Sequence, residues 1–298
     1  MRCLAVVVIS WSFICCPGVF AQDNPGYRLE PVSDGLYRFV AGNYRAMLWV
    51  TDEGMLLVDP LNREAATWLK QHLAERFDVP LRYVVYSHNH FDHAYGGDVF
   101  DDPAVTFIAH EMARDDLVRS QAQTRLPRLT FSDQMTIHLG GERLTMRYHG
   151  PNNGYGSLSF LFEDQRVLFV VDWILVGRVP YRDLAGYDLE GMIRSTRQVL
   201  DDDGWETFVG GHADVGDRAG VQRYLDYLET LYGRVLEGMQ AGKPLEVLQR
   251  EITLDAFADL KQFDAWRAEN IAGAYRMLAD RSYLLMRPET PEPATDGE

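Results

Sequence analysis

The chain has 298 residues, 46% of them hydrophobic and 24% charged, with a formal net charge of −15. A chain this acidic repels phosphate backbones and anionic lipid surfaces, so nucleic acid and stable membrane insertion are not expected, and a small-molecule substrate is. All three cysteines, Cys3, Cys15 and Cys16, lie at the N-terminus, which leaves neither a disulfide nor a thiolate ligand beyond them.

Residues 1–21 read as a secretory signal peptide, because Arg2 precedes an apolar run from Cys3 to Cys16 and Val19-Phe20-Ala21 supplies a small-residue cleavage site. The run falls short of the roughly 20 apolar residues a spanning helix needs, and Ser10 and Ser12 interrupt it. Cys15 and Cys16 would suit a lipoprotein, but Ser12-Phe13-Ile14 lacks the small residues such processing prefers. Cleavage after Ala21 leaves 298 − 21 = 277 residues, enough for a sizeable core, and removes Arg2, taking the charge to −16. The expected location is periplasmic or secreted.

From Tyr27 to Val58, short apolar runs alternate with turn signals in GLYRFVAGN, RAMLWVTDEG and MLLVDP, predicting consecutive antiparallel strands. Ala66, Leu69, Leu73 and Phe77 recur at helical spacing over residues 62–77, and LRYVVYS at 81–87 is a largely apolar strand. Further strands are predicted at 105–109, 134–139, 143–149, 157–162 and 166–171, helices at 112–118 and 188–200, and a last short strand in ETFVGGH at 206–212. An apolar stripe from Val221 to Met239 predicts a long helix that Gly242-Lys243-Pro244 ends, with two more helices around 245–250 and 263–278. PETPEPATDGE, residues 288–298, reads as a disordered tail.

One segment carries the chemistry. After the strand at 81–87 comes His88-Asn89-His90-Phe91-Asp92-His93-Ala94-Tyr95-Gly96-Gly97, three imidazoles and a carboxylate within six positions. In an extended loop His88 and His90 point the same way and can converge on one ion, while Asp92 and His93, past the bend that the glycines help close, can address a second. His72, His110 and His138 sit in or at the ends of predicted elements and read as ordinary surface or packing residues.

This segment resembles the His-x-His-x-Asp-His hallmark of the metallo-β-lactamase superfamily. The resemblance runs from about Leu36 to His212, since Asp59 follows MLLV, Asp172 follows an apolar strand in FVVDWI, and GGH closes with His212. It implies an α/β (α+β) chain folded as a four-layer αββα sandwich, here residues 22–215, with residues 216–287 as a helical extension packed on it. It further implies that His88 and His90 serve a first metal site, that Asp92, His93 and His212 serve a second, and that Asp172 bridges the two. Zinc, one or two ions per chain, is the implied cofactor, and Asp92 and Asp172 are the implied catalytic groups. For Asp59 the resemblance suggests a carboxylate behind the ligands, whereas Asp59-Pro60 by itself also reads as a helix start.

The chain departs from the pattern at one position. The family places a histidine in a loop resembling Gly-Pro-x-His, and Gly150-Pro151-Asn152-Asn153 puts Asn153 there. Three readings follow: Asn153 coordinates through its amide oxygen, His149 substitutes by a shift of the loop, or the first site is weak or empty. Strand alternation puts Thr145, Arg147 and His149 on the polar face and so turns His149 toward solvent, which favours the first or third reading.

An intact site of this kind lowers the pKa of bound water from about 15.7 to about 7 and delivers hydroxide to a carbonyl. The expected activity is hydrolysis of a small ester, thioester or lactone. β-Lactam hydrolysis is the alternative, disfavoured because Asp172 resembles the lactonase, glyoxalase II and other esterase-like branches, whereas the true β-lactamases place cysteine or serine around the second site. A degenerate member that binds without turnover is the other alternative, motivated by Asn153. Arg178, Tyr181 and Arg182 in VGRVPYRDL, and Tyr155, are candidates to meet an anionic substrate.

Overall fold

A computed structural model describes residues 26–291. The predicted signal peptide and the end of the predicted tail lie outside the described residues.

The N-terminal meander comprises β1 (Tyr27–Ser33), β2 (Leu36–Ala41), β3 (Tyr44–Thr51) and β4 (Gly54–Val58), each antiparallel to the next. Helix α1 (Arg63–Arg76) then carries the chain over to β5 (Leu81–Val85), which pairs parallel with β4. The short helix α2 (Phe91–Ala94) precedes β6 (Thr106–His110), α3 (Glu111–Arg119) and the brief β7 (Leu129–Phe131), completing a seven-stranded sheet in the order β1 to β7. The second sheet has five strands in the order β12-β11-β10-β9-β8: β8 (Gln134–Leu139), β9 (Glu142–Tyr148), β10 (Leu158–Phe162), β11 (Val167–Val170) and β12 (Thr207–Gly210). Helix α4 (Leu189–Asp201) joins β11 to its parallel neighbour β12, and α5 (Arg218–Gln240), α6 (Leu245–Glu251) and α7 (Phe263–Ser282) follow.

Side-chain alternation explains the layering. On β3 and β4, Met47, Trp49, Leu56 and Val58 point between the sheets, where they meet Phe160, Phe162 and Phe169. Their neighbours Ala46, Leu48, Met55 and Leu57 face the other way, onto Leu69 and Leu73 of α1. On β11, Leu168 and Val170 turn outward onto Met192 of α4 and Leu228 of α5. Strands buried on both faces read as nearly unbroken apolar runs, and helices cover both outer faces, giving the αββα sandwich. Trp49 also ties the sheets together, its Nε1 donating to Glu142 Oε2 at 2.9 Å.

Two expectations are corrected here. Asp59-Pro60 does not start α1: Asn62 is the cap, accepting from Ala65 N at 3.0 Å. His149 does not meet solvent. It lies on the outer face of the second sheet as alternation requires, but α4 covers that end of the face, and Gln198 and Ser159 hold both its ring nitrogens, at 3.0 and 2.8 Å. Among the described residues no helix is long and apolar enough to cross a membrane.

Candidate metal centre

The chemistry gathers at the C-terminal ends of β4, β5, β11 and β12. Past β5 the chain bends at Ser87, His88 and Asn89, reaches an extended His90 and coils into α2, and this change re-aims the motif. His88 and His90 leave from the segment before the helix, and Asp92 and His93 from the helical turn. Gly97 lets this turn lie against the core, since an added Cβ would collide with the Tyr86 hydroxyl.

Asp172 stands at the middle. It follows β11 in a left-handed conformation, φ 70°, which an aspartate tolerates better than most residues. Its two carboxylate oxygens face different groups. Oδ2 lies 3.1 Å from His88 Nε2 and 3.3 Å from His90 Nδ1. Oδ1 lies 3.0 Å from His212 Nε2 and 3.5 Å from His93 Nε2. His93 Nε2 and His212 Nε2 are 2.9 Å apart, with Asp92 Oδ2 3.8 and 3.6 Å from them. His88, His90 and Asp172 thus form one group whose ligand atoms could share an ion, and Asp92, His93 and His212 form another.

Asn153 belongs to the first group by position. Its Nδ2 donates to Asp172 Oδ2 at 3.1 Å, while its Oδ1 is buried without a hydrogen-bond partner. Gly154 next to it has φ 59°, and a Cβ there would stand 2.8 Å from His90 Nε2, so the loop closes over the histidines only because the residue is glycine. His149, held by Gln198 and Ser159, does not reach the group.

A set of acceptors orients the imidazoles. Asp59, fully buried and also left-handed at φ 64°, accepts from Ser87 N and Ser87 Oγ, both at 2.7 Å. Ser87 Oγ in turn lies 2.8 Å from His88 Nδ1, and Asp59 Oδ2 lies 3.2 Å from His93 Nδ1. The Asn43 carbonyl takes His212 Nδ1 at 3.0 Å, and Tyr44 packs edge-on against His212 and His93. With Nδ1 of His88 and His212 hydrogen-bonded and Asp59 Oδ2 beside Nδ1 of His93, the three imidazoles turn Nε2 toward the centre. Ser87, Asn43 and Tyr44 were not singled out by sequence reasoning. A serine directly before the motif was the only available signal, and a main-chain carbonyl leaves none.

The electrostatics follow from this crowding. Burial works against the Asp172 carboxylate, yet His212, His93 and His88 around it hold its pKa well below the usual carboxylate range. Burial likewise disfavours a charged His212, but Asp172 and Asp92 carry its pKa up to about 9, and Asp172 and Asp59 raise that of His93 despite its burial. For His88 burial dominates and, with His90 beside it, lowers the pKa. His88 Nε2, Asp172 Oδ1 and Asn153 Oδ1 are buried atoms without a hydrogen-bond partner among the described residues. Unpartnered buried acceptors within a cluster of imidazoles and carboxylates are what a cation relieves, so the residues fit a metal. Nitrogen and carboxylate donors without sulfur suit zinc among other divalent ions.

Of the sequence candidates on substrate contact, Arg178 lies at this site, its Nη1 donating to the His212 carbonyl at 3.2 Å. Arg182 packs over the Tyr181 ring instead, and Tyr155 sits beside Arg119, with its backbone N on Asn89 Oδ1.

Comparison with known proteins agrees with this geometry. The family model described as the metallo-beta-lactamase superfamily matches residues 42–212. The alpha subunit of 2,4-dinitroanisole O-demethylase from Nocardioides sp. is 24% identical over 258 residues, covering 84% of this chain and 74% of that protein. An acyl-coenzyme A thioesterase from Bos taurus is 27% identical over 203 residues, covering 54% of this chain and 72% of its own. Among solved structures, the sec-alkylsulfatase Pisa1 from Pseudomonas sp. superposes with a TM-score of 0.70 at 19% identity, over 86% of this chain and 51% of that one. A metallo-beta-lactamase from Pontibacter korlensis gives 0.63 at 18% identity, over 68% and 99%. At such identities the structures speak for the fold alone. The chain belongs to the metallo-beta-lactamase superfamily and is a hydrolase of that fold.

Proposed function

We propose that the protein is a zinc-dependent hydrolase of small esters, thioesters or lactones, acting in the periplasm or outside the cell after loss of residues 1–21. The observation that carries the metal assignment is the divided carboxylate of Asp172, with one oxygen toward His88 and His90 and the other toward His93 and His212. Zinc held there supplies Lewis-acid activation of water and of the substrate carbonyl.

The chain's own residues set the rest. Ser87 and the Asn43 carbonyl keep the proton of His88 and of His212 on Nδ1 and leave Nε2 free, and the Asp59 carboxylate beside Nδ1 of His93 favours the same form there. Asp92, partly open to solvent and kept ionised below its usual range by His212 and His93 against the effect of burial, accepts the proton of the attacking water and returns it to the leaving oxygen or sulfur. Water adds to the carbonyl carbon, the bond from that carbon to the leaving atom breaks, and an acid and an alcohol or thiol depart. The similarity to a protein named as an acyl-coenzyme A thioesterase supports an acyl substrate.

The two metal groups are unequal. Asp92, His93, His212 and Asp172 bring four donors to the second site, whereas the first has His88, His90 and Asp172 with the neutral Asn153 amide in place of an imidazole. A tight second site and a weak first one follow. The test is a panel of lactones, 4-nitrophenyl esters and acyl thioesters with zinc-loaded wild type, His93→Ala and Asp172→Ala. Turnover by the wild type that falls at least about 100-fold in both variants is expected. Inactivity of the wild type on the whole panel would overturn the reading.

A further inference from the structure

The loop after Asp172 and the C-terminal helices meet at Arg178. Val179 N donates to the Lys261 carbonyl at 3.2 Å and Lys261 N to the Gly177 carbonyl at 3.0 Å, fixing the backbone on both sides of it. Its guanidinium is fixed as well. Nη1 donates to the His212 carbonyl at 3.2 Å, Cζ lies 5.0 Å from the ring centre of Trp266 on α7, and Tyr181 closes edge-on against that same indole at 5.1 Å. A guanidinium held between a carbonyl and an aromatic face has lost its rotamer freedom and presents its remaining N–H groups in one direction.

What it lacks is an anion. Among the described residues no carboxylate forms an ion pair with Arg178, in a chain whose net charge is −15. The acids nearby in sequence and space are committed elsewhere, Asp214 to Lys261 and Asp183 to Arg276. Arg178 Nε is buried with no hydrogen-bond partner, and so is the Tyr224 hydroxyl, which feels the charges of both Arg178 and Asp172. An oriented, half-buried cation without a counterion, adjoining His212 of the candidate metal centre, is costly unless a ligand completes it.

We propose that Arg178 recognises a carboxylate of the substrate and that Trp266, on the C-terminal helix α7, positions it. The substrate class, which rests on the hydrolase reading, is then a carboxylate-bearing ester, thioester or lactone, and the helical extension forms one wall of the substrate site.

Two measurements separate this from the hydrolase reading. In the first, mono-4-nitrophenyl succinate and 4-nitrophenyl acetate are compared as substrates of the zinc-loaded full-length mature protein. The ratio of their kcat/KM values falls about tenfold or more in Arg178→Gln, mostly through KM, falls less in Arg178→Lys, and is retained in Arg182→Gln. In the second, succinate is titrated calorimetrically into the same proteins, which needs no turnover. Wild type binds it, Arg178→Gln binds about tenfold or more weakly, and Trp266→Leu is weakened at a melting temperature that shows it folded. If neither ester is hydrolysed, the function fails and the titration still decides the site. Absence of succinate binding to wild type, or equal affinity in wild type and Arg178→Gln, overturns the proposal, and an unchanged affinity in Trp266→Leu removes the positioning role.

Discussion

Asp59→Asn isolates the network that aims the histidines. Asp59 is fully buried with φ 64°, a conformation asparagine also tolerates, so the substitution exchanges one oxygen for NH2 at little backbone cost. Neither orientation of the amide satisfies its neighbours. With Nδ2 in the place of Oδ1 it faces the Ser87 N–H, and in the place of Oδ2 it faces Ser87 Oγ and His93 Nδ1. One buried donor is left without an acceptor, which costs about 1–3 kcal/mol of stability. Through His93 directly and His88 by way of Ser87, the orientation of both groups loosens, and metal affinity falls about 10- to 100-fold. Urea unfolding of chelator-treated protein reads the first quantity, and competition against a chromophoric zinc chelator reads the second. An affinity within twofold of wild type, alongside the loss of stability, would refute the orienting role and leave Asp59 a residue of the fold only.

Two further outcomes follow from the surroundings of the site. Burial pushes the pKa of His149 down, with Arg147 adding to the effect and the Gln198 hydrogen bond only partly opposing it. The unfolded chain therefore binds that proton first, and the His149 contribution to stability, complete above about pH 6.5, falls as pH drops toward the folded pKa, by up to about 1.4 kcal/mol per pH unit. His149→Gln should show a shallower decline between pH 7 and pH 5 in urea titrations, and an identical slope would contradict the assignment. Gly154→Ala would set a Cβ 2.7 Å from Asn89 Oδ1 and 2.8 Å from His90 Nε2 at φ 59°, lowering stability by about 1–2 kcal/mol. Unaltered urea unfolding of that variant would show that the loop does not close as described.

The sandwich was legible because its strands are buried on both faces. Runs such as MLLV and VLFVV have few other uses, and the helical spacing of Leu69 and Leu73 or of Val221 to Met239 marks the outer layers plainly. The cluster of imidazoles and carboxylates was legible because such groups close together at strand ends are dear to bury for any lesser purpose. What escaped the sequence depends on partners distant along the chain. His149 falls on the face that alternation gave it, but nothing near it announces that Gln198, on a helix 49 residues later, covers that face. Asp59 also read as a helix start because the left-handed φ that points it at Ser87 is not written in its neighbours. The brief α2 and β7 carry too few residues for a period to emerge, yet α2 is what separates the two ligand groups. The contact of Trp266 with Arg178 joins α7 to a loop 88 positions away, which no local pattern could signal.

The central claim, a metal site divided by Asp172 and weakened at Asn153, is tested most directly by counting metal. Zinc per chain is measured by elemental analysis on mature wild type and Asn153→His, each loaded with excess zinc and then dialysed without chelator. The account predicts close to one ion per chain in the wild type and close to two in Asn153→His, as an imidazole replaces the neutral amide beside His88 and His90. Two tightly held ions in the wild type would contradict the inequality of the sites, and none in either protein would contradict the metal centre itself.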